Sequence, residues 1–252
     1  KVGAVVTMVN PGLPVEDYAY YLEYTRARVV ICDEALYAGI RAQCDQSRHL
    51  VTVLRRGGGL EGALAEAADG YENAPTSKDD VALWLFTSGS TGQPKAAVHM
   101  HHDFAYNTEC YAKRVLRMSM NDVTLAVPKL FFGYATGTNL MFPFAVGART
   151  VLFEDKSTPQ RLFELIEKHR PTVLTSVPTM IGKMLAEPGA AGRDLSSLRV
   201  TISAGEALPE ELYGRWQATF NSEILDGIGS AELFHIYISN RFGEVKPGSL
   251  GR

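Results

Sequence analysis

The stretch that most constrains this chain is Leu83-Trp84-Leu85-Phe86-Thr87-Ser88-Gly89-Ser90-Thr91-Gly92-Gln93-Pro94-Lys95. The run Val81 to Phe86 is short, apolar on both faces and contains aromatics, which predicts a buried strand. It ends abruptly, because Thr87 to Gly92 holds four small hydroxyls and two glycines. Such a composition predicts a loop rich in backbone N–H donors, and glycine lets a backbone of that kind close round an anion. Thr87, Ser88, Ser90 and Thr91 add hydroxyl donors, and Lys95 adds a full positive charge on a long stem. A plain connection is the competing reading. Four hydroxyls, two glycines and a lysine directly behind a buried strand favour phosphate binding. The loop is not a Walker loop, which ends in Gly-Lys-Ser/Thr. Here Pro94 precedes Lys95, Ala96 follows it, and Ala96 to Met100 is β-rich where a Walker helix would begin.

Around this stretch strands and helices alternate. Gly3 to Val9, Arg28 to Cys32 and Leu50 to Leu54 read as strands, and Asp17 to Arg26, Glu34 to Gln46 and Leu60 to Ala68 as helices. Beyond Lys95, strands are expected over Ala96 to Met100, Asp122 to Val127, Arg149 to Phe153, Thr172 to Thr175, Leu198 to Ser203 and Glu223 to Leu225. Helices are expected over Asp103 to Leu116, Pro159 to His169, Pro178 to Ala186 and Glu210 to Phe220. Leu233 to Ile238 reads as strand or extended chain. The alternation predicts an α/β fold of doubly wound, mostly parallel sheets flanked by helices. Asp69 to Asp80 is polar and reads as a surface connection, dividing a leading α/β portion, 1–75, from a portion, 76–252, that carries the motifs. In the first helix Tyr18, Tyr21 and Leu22 share a face, with Tyr24 at its edge, and this tyrosine stripe reads as core packing.

Composition excludes several classes. A net charge of −3 leaves no electrostatic footprint for nucleic acid or an anionic membrane. No apolar run approaches the length of a membrane span. The three cysteines, Cys32, Cys44 and Cys110, have no metal spacing and fit reduced thiols of a cytoplasmic protein. His99, His101 and His102 crowd together, but only Asp103 lies near them as a further ligand. The opening residues lack a signal-peptide core, and with no initiator methionine both ends read as cuts inside a longer protein.

Three further segments carry chemistry. Ser203-Ala204-Gly205-Glu206-Ala207-Leu208-Pro209 joins a strand to a helix through a glycine turn, the geometry that forms crevices beyond the carboxyl ends of strands. An ordinary αβ turn without a ligand would look the same. Asp226-Gly227-Ile228-Gly229-Ser230-Ala231-Glu232 follows a strand with two glycines, which permit close approach, and ends in a carboxylate suited to Mg²⁺. In Phe131-Phe132-Gly133-Tyr134 flat apolar walls stand beside small residues that leave room for a ring, though core packing is also open for these aromatics.

Thr-Ser-Gly-Ser-Thr-Gly-x-Pro-Lys resembles the signature loop of the adenylate-forming superfamily: acyl- and aryl-CoA ligases, luciferases and peptide-synthetase adenylation domains. The aromatic at Phe132, followed by Gly133-Tyr134, resembles the benzoate-CoA ligase branch. Ala96 and Ala231 depart from the pattern, where relatives carry glycine and threonine. The resemblance implies the large AMP-binding domain of such an enzyme, with a small carboxyl-terminal domain lying beyond this chain. It implies that Thr87, Ser88, Gly89, Ser90, Thr91, Gly92 and Lys95 hold the ATP phosphates. Gly205, Glu206, Ala207, Asp226 and Gly227 would lie along the adenine. Phe132, Tyr134, Gly229 and His235 would line the acid pocket, while a satisfied core histidine is an equal reading for His235. Glu232 would serve Mg²⁺, and Lys95 and Glu232 would be the catalytic pair. The implied reaction joins an aromatic carboxylic acid to ATP, giving acyl-AMP and pyrophosphate, and then to CoA as a thioester. An adenylating enzyme for a non-aromatic acid or a carrier protein, and a non-catalytic nucleotide-binding module, are the alternatives.

Overall fold

In the computed structural model, which describes residues 2–87 and 92–251, the chain divides into two units, Lys1–Thr76 and Ser77–Arg252. The first unit comprises β1 (Val6–Thr7), α1 (Asp17–Thr25), β2 (Val29–Asp33), α2 (Glu34–Gln46), β3 (Thr52–Arg56) and α3 (Leu60–Glu66). β2 and β3 pair in parallel from Val29↔Thr52 to Asp33↔Arg56. Its core gathers Tyr18, Leu22, Ile40 and Cys44, so part of the tyrosine stripe is packing. Asp33 ends β2 and caps α2, its Oδ1 accepting from Leu36 N at 2.7 Å. The first strand is much shorter than Gly3 to Val9, and Gly3 itself, with φ +70°, lies outside the extended region.

The second unit opens with a hairpin of β4 (Val81–Thr87) and β5 (Lys95–Met100). The pairing is antiparallel and closes on Thr87↔Lys95, which pins the two ends of the hydroxyl-rich segment opposite each other. Ser88, Gly89, Ser90 and Thr91 lie outside the described residues. α4 (His101–Asn107) runs directly into a π-helical stretch, Thr108–Lys113. The sequence predicts one helix starting at Asp103. Asp103 instead sits in the first turn, where its Oδ2 accepts from Met100 N at 2.9 Å. Asn107 Nδ2 and the Thr108 hydroxyl both donate to carbonyls four residues back, at 3.0 and 2.7 Å. Such side-chain bonds compete with the regular ladder.

There follow β6 (Val123–Ala126), α5 (Gly133–Thr136), a second π-helical stretch at Gly137–Met141, α6 (Phe142–Val146), β7 (Arg149–Val151), α7 (Pro159–His169) and β8 (Val173–Ser176). The chain ends with α8 (Pro178–Ala186), β9 (Val200–Ser203), α9 (Glu210–Phe220), β10 (Ile224–Gly229) and β11 (Ile236–Ser239). β6 to β11 form one sheet in the order β11-β10-β9-β8-β6-β7. Neighbours are parallel except β11, which runs antiparallel to β10. Prolines begin α7 and α8, where a missing N–H costs nothing.

Alternation along the strands feeds two cores. In register, Leu125, Leu174, Thr201 and Ile224 share one face. The apolar members of that row pack against Phe163, Ile166, Ile181, Met184 and Trp216 of α7, α8 and α9. The opposite face presents Val173, Val200, Ile202 and Leu225 to Tyr111, Leu116 and Phe142. A parallel sheet covered on both faces is the expected result of this pattern.

The amino ends of β6, β8 and β9 are tied by one buried carboxylate. Arg199 Nε and Nη2 donate to Asp122 Oδ1 and Oδ2 at 2.8 and 3.0 Å. The Thr172 hydroxyl and Ser119 N–H add bonds at 2.6 and 2.9 Å. Burial alone would raise the Asp122 pKa, but Arg199, Thr172 and Ser119 together hold it below the usual carboxylate value. Asp122 therefore stabilises the fold above its unfolded pKa, and that contribution is lost as pH falls through the depressed folded value. Asp122→Ala should cost about 2–4 kcal/mol in urea unfolding at pH 7. Asp122→Asn should remove the pH dependence that the carboxylate adds below about pH 4.

Candidate active site at the strand ends

The chain lays β7 on one side of β6 and β8, β9 and β10 on the other. Winding therefore reverses between β6 and β8, the point at which open α/β sheets leave a crevice beyond their strand ends. The aromatic segment leaves β6 here, Val177 and Pro178 leave β8, and the 204–209 turn leaves β9.

His235 is the centre of the dry part of this region and is 2% exposed. Its Nε2 lies 3.0 Å from Tyr134 O. A carbonyl only accepts, so Nε2 carries the proton and Nδ1 the lone pair. Nδ1 is buried with no hydrogen-bond partner among the described residues. Rings of Phe142, Tyr111 and Tyr134 surround the imidazole at 4.9, 5.0 and 5.5 Å between centroids. Two glycines make the packing possible. A Cβ at Gly137 would fall 2.5 Å from His235 Cδ2, and one at Gly229 would fall 2.8 Å from His235 O. Burial drives the His235 pKa down to about 4, only partly opposed by the Tyr134 carbonyl. The Tyr134 hydroxyl donates to Ser176 O at 3.1 Å, tying the aromatic segment to the end of β8. The structure thus brings Tyr134, Gly229 and His235 together. Phe132 is 52% exposed, with its ring 4.6 Å from that of Phe131.

In the turn after β9, Gly205 has φ +91°, a conformation that glycine adopts without strain. Glu206 turns its carboxylate to the start of α8, where Oε2 accepts from Thr179 N at 3.2 Å and from its hydroxyl at 2.6 Å. Its side chain is a helix cap, and Gly205, Glu206 and Ala207 are exposed residues. Asp226 and Gly227 are not in a turn after the strand, as the sequence suggests. Pairing with β11 carries β10 on to Gly229. Asp226 is buried, and burial raises its carboxyl pKa against the pull of the Ser203 hydroxyl and the Leu208 and Gly227 N–H groups. A Cβ at Gly227 would meet Ile238 O at 2.6 Å, so the close approach this glycine permits is that of the neighbouring strand.

Glu232 stands exposed in the turn between β10 and β11, and Lys95 stands exposed at the start of β5. One exposed carboxylate is the kind of ligand that Mg²⁺ takes when phosphates and water complete its shell, so Glu232 fits that ion. Among the described residues no group of three or more His, Cys, Asp or Glu could hold a metal. The crowded histidines bond elsewhere. His99 Nδ1 lies 3.2 Å from Asp103 Oδ2, and His102 Nδ1 lies 3.1 Å from both Lys78 O and Asp79 Oδ1. Sequence reasoning did not single out Tyr111 and Phe142 as neighbours of His235. Both lie at or beside π-helical stretches, where a 3.6-residue period misassigns faces.

Because His235 is neutral when buried, the unfolded chain binds its proton more readily between pH 6.5 and 4. Stability is therefore full above the unfolded value and falls as pH drops through this window. The loss from this residue between pH 7 and pH 5 should be about 2 kcal/mol, read from urea midpoints, and His235→Gln should flatten it.

Residues 1–252 match the AMP-binding enzyme family, the full length of the chain. The chain is 41% identical over 256 residues to a benzoate–CoA ligase of Thauera aromatica, covering 100% of this chain and 49% of that protein. It is 33% identical to a 4-hydroxybenzoate–CoA/benzoate–CoA ligase of Rhodopseudomonas palustris, covering 100% of this chain and 48% of the relative. Its fold superposes with a TM-score of 0.95 on the crystal structure of the anthranilate CoA ligase AuaEII in complex with anthranoyl-AMP, at 35% identity over 99% of this chain and 49% of that one. A benzoate CoA ligase from Burkholderia xenovorans LB400 gives a TM-score of 0.89 at 38% identity, over 98% of this chain and 50% of the other. The chain spans about half the length of these relatives. With the family match running over the full length of the chain and a relative 41% identical over all of it, the chain belongs to the AMP-binding enzyme family.

Proposed function

We propose that this chain is the core of a cytoplasmic, ATP-dependent aryl-acid CoA ligase. The observation that carries the reading is the buried, neutral His235, ringed by Tyr134, Tyr111 and Phe142 and approached closely by Gly229, in a chain 41% identical to a benzoate–CoA ligase. The portion 76–252 would carry the site. The carboxylate of an aromatic acid would attack the α-phosphorus of ATP, with pyrophosphate leaving, and the CoA thiol would then displace AMP from the acyl group.

The first step brings an anion to a polyanion, so it needs cations and N–H donors more than a general base. Lys95, Thr87, Gly92 and the intervening residues would hold the β- and γ-phosphates, and the turn at Gly205 to Ala207 and the end of β10 from Asp226 and Gly227 would flank the adenine. Mg²⁺ held by Glu232 would neutralise phosphate charge. His235, neutral at physiological pH, would offer a flat uncharged wall to the ring, with Phe132 at the rim.

Calorimetric titration with a non-hydrolysable benzoyl-adenylate mimic and a long-chain fatty acyl mimic tests this reading. Binding of the aryl mimic alone is expected. Equal or tighter binding of the fatty acyl mimic would contradict it. In the full-length enzyme, Lys95→Ala should lower the adenylation rate about 100- to 1000-fold, measured as pyrophosphate exchange.

A further inference from the structure

We propose that His99 is a positioning residue for the phosphate end of the site. It ties the strand that begins with Lys95 to the turn that presents Glu232. The inference rests on the roles proposed above for those two residues.

His99 is 2% exposed and lies on β5, four residues after Lys95. Alternate strand residues share a face, so Lys95, Ala97 and His99 point the same way along about 13 Å of strand. Both ring nitrogens of the imidazole are bonded to protein, which leaves neither for a ligand. Nε2 lies 2.6 Å from Ala231 O, the residue before Glu232. Nδ1 lies 3.2 Å from Asp103 Oδ2. That carboxylate is itself anchored, by Met100 N at 2.9 Å and by His102 Nε2 at 3.2 Å. A carboxylate thus orients the ring, and the ring orients the carbonyl.

The turn it grips is strained. Ala231 O also accepts from Phe234 N at 3.2 Å. Phe234 has φ +68°, a left-handed conformation that bulky residues rarely adopt. Its buried ring meets His99 and Phe104 edge-on, at 5.4 and 5.1 Å between centroids. Strain of this kind persists only where the surroundings over-determine it. His99 supplies two of those restraints, the bond to Ala231 O and the contact with Phe234. The turn lifts Glu232 and Leu233 to the surface. With His99 removed, the turn is free to relax, and Glu232 loses its fixed place relative to Lys95.

The test uses this chain with two substitutions, His99→Leu and His99→Gln, the second keeping an N–H within reach of Ala231 O. Two ligands are titrated, ATP with Mg²⁺ and the benzoyl-adenylate mimic, which has no β- or γ-phosphate. Amide exchange at residues 231–234 is measured alongside. His99→Leu should weaken ATP about 10- to 100-fold, leave the mimic unchanged and speed exchange at the turn. His99→Gln should recover most of the affinity and protection. Unchanged ATP affinity in His99→Leu, or equal loss of both ligands, would overturn the inference. If His99→Leu does not fold, Asp103→Asn should shift ATP affinity and exchange in the same direction by less, and no shift would count against it. If the unmodified chain binds no ATP, the functional reading fails, and exchange at residues 231–234 still decides whether His99 holds the turn.

Discussion

Everything in the larger unit follows from a sheet whose two faces are both buried. Leu125, Leu174 and Ile224 point to one core and Val173, Val200, Ile202 and Leu225 to the other. Full burial of such side chains contributes roughly 1.5–3 kcal/mol each. With both faces closed, polar chemistry has one place to go, beyond the ends of the strands. The amino ends are occupied by the Asp122–Arg199–Thr172 network. The carboxyl ends, with the winding reversal between β6 and β8, remain for the site.

That site has two physical characters. One end is dry, ringed by Tyr111, Tyr134 and Phe142 and centred on a histidine that burial keeps uncharged. The other is exposed and carries formal charge, with Lys95 on the hairpin and Glu232 on its strained turn. An acid with an aromatic ring and a carboxylate reacting with a triphosphate has the same two characters. Glycines at positions 137, 227 and 229 let the dry end form, because each gives up its side-chain volume to a neighbouring ring or strand.

Much of this was legible in the sequence where punctuation is local. Glu34–Gln46, Pro159–His169, Pro178–Ala186 and Glu210–Phe220 run as the sequence predicts, since a capping Asp or Thr or an opening proline marks each start. The strand ending near Thr87 and the loop after it were legible because an apolar run stops in a burst of glycines and hydroxyls, whereas the antiparallel pairing with the strand from Lys95 was not. The remainder depends on partners far along the chain. β10 continues past Asp226 because β11 pairs with it. Glu206 caps a helix that begins with Pro178, 28 positions earlier in the numbering. His99, read from sequence as one of three crowded histidines, finds its partner 132 residues away. The π-helical stretches at Thr108–Lys113 and Gly137–Met141 have no periodic signature to read.

The most direct test of the account is a crystal structure of the chain with the benzoyl-adenylate mimic bound. The account predicts the aryl ring against Tyr134, Gly229 and His235, with the phosphate turned towards the Lys95 hairpin. A ring seated elsewhere, with the His235 cluster unchanged, would contradict it.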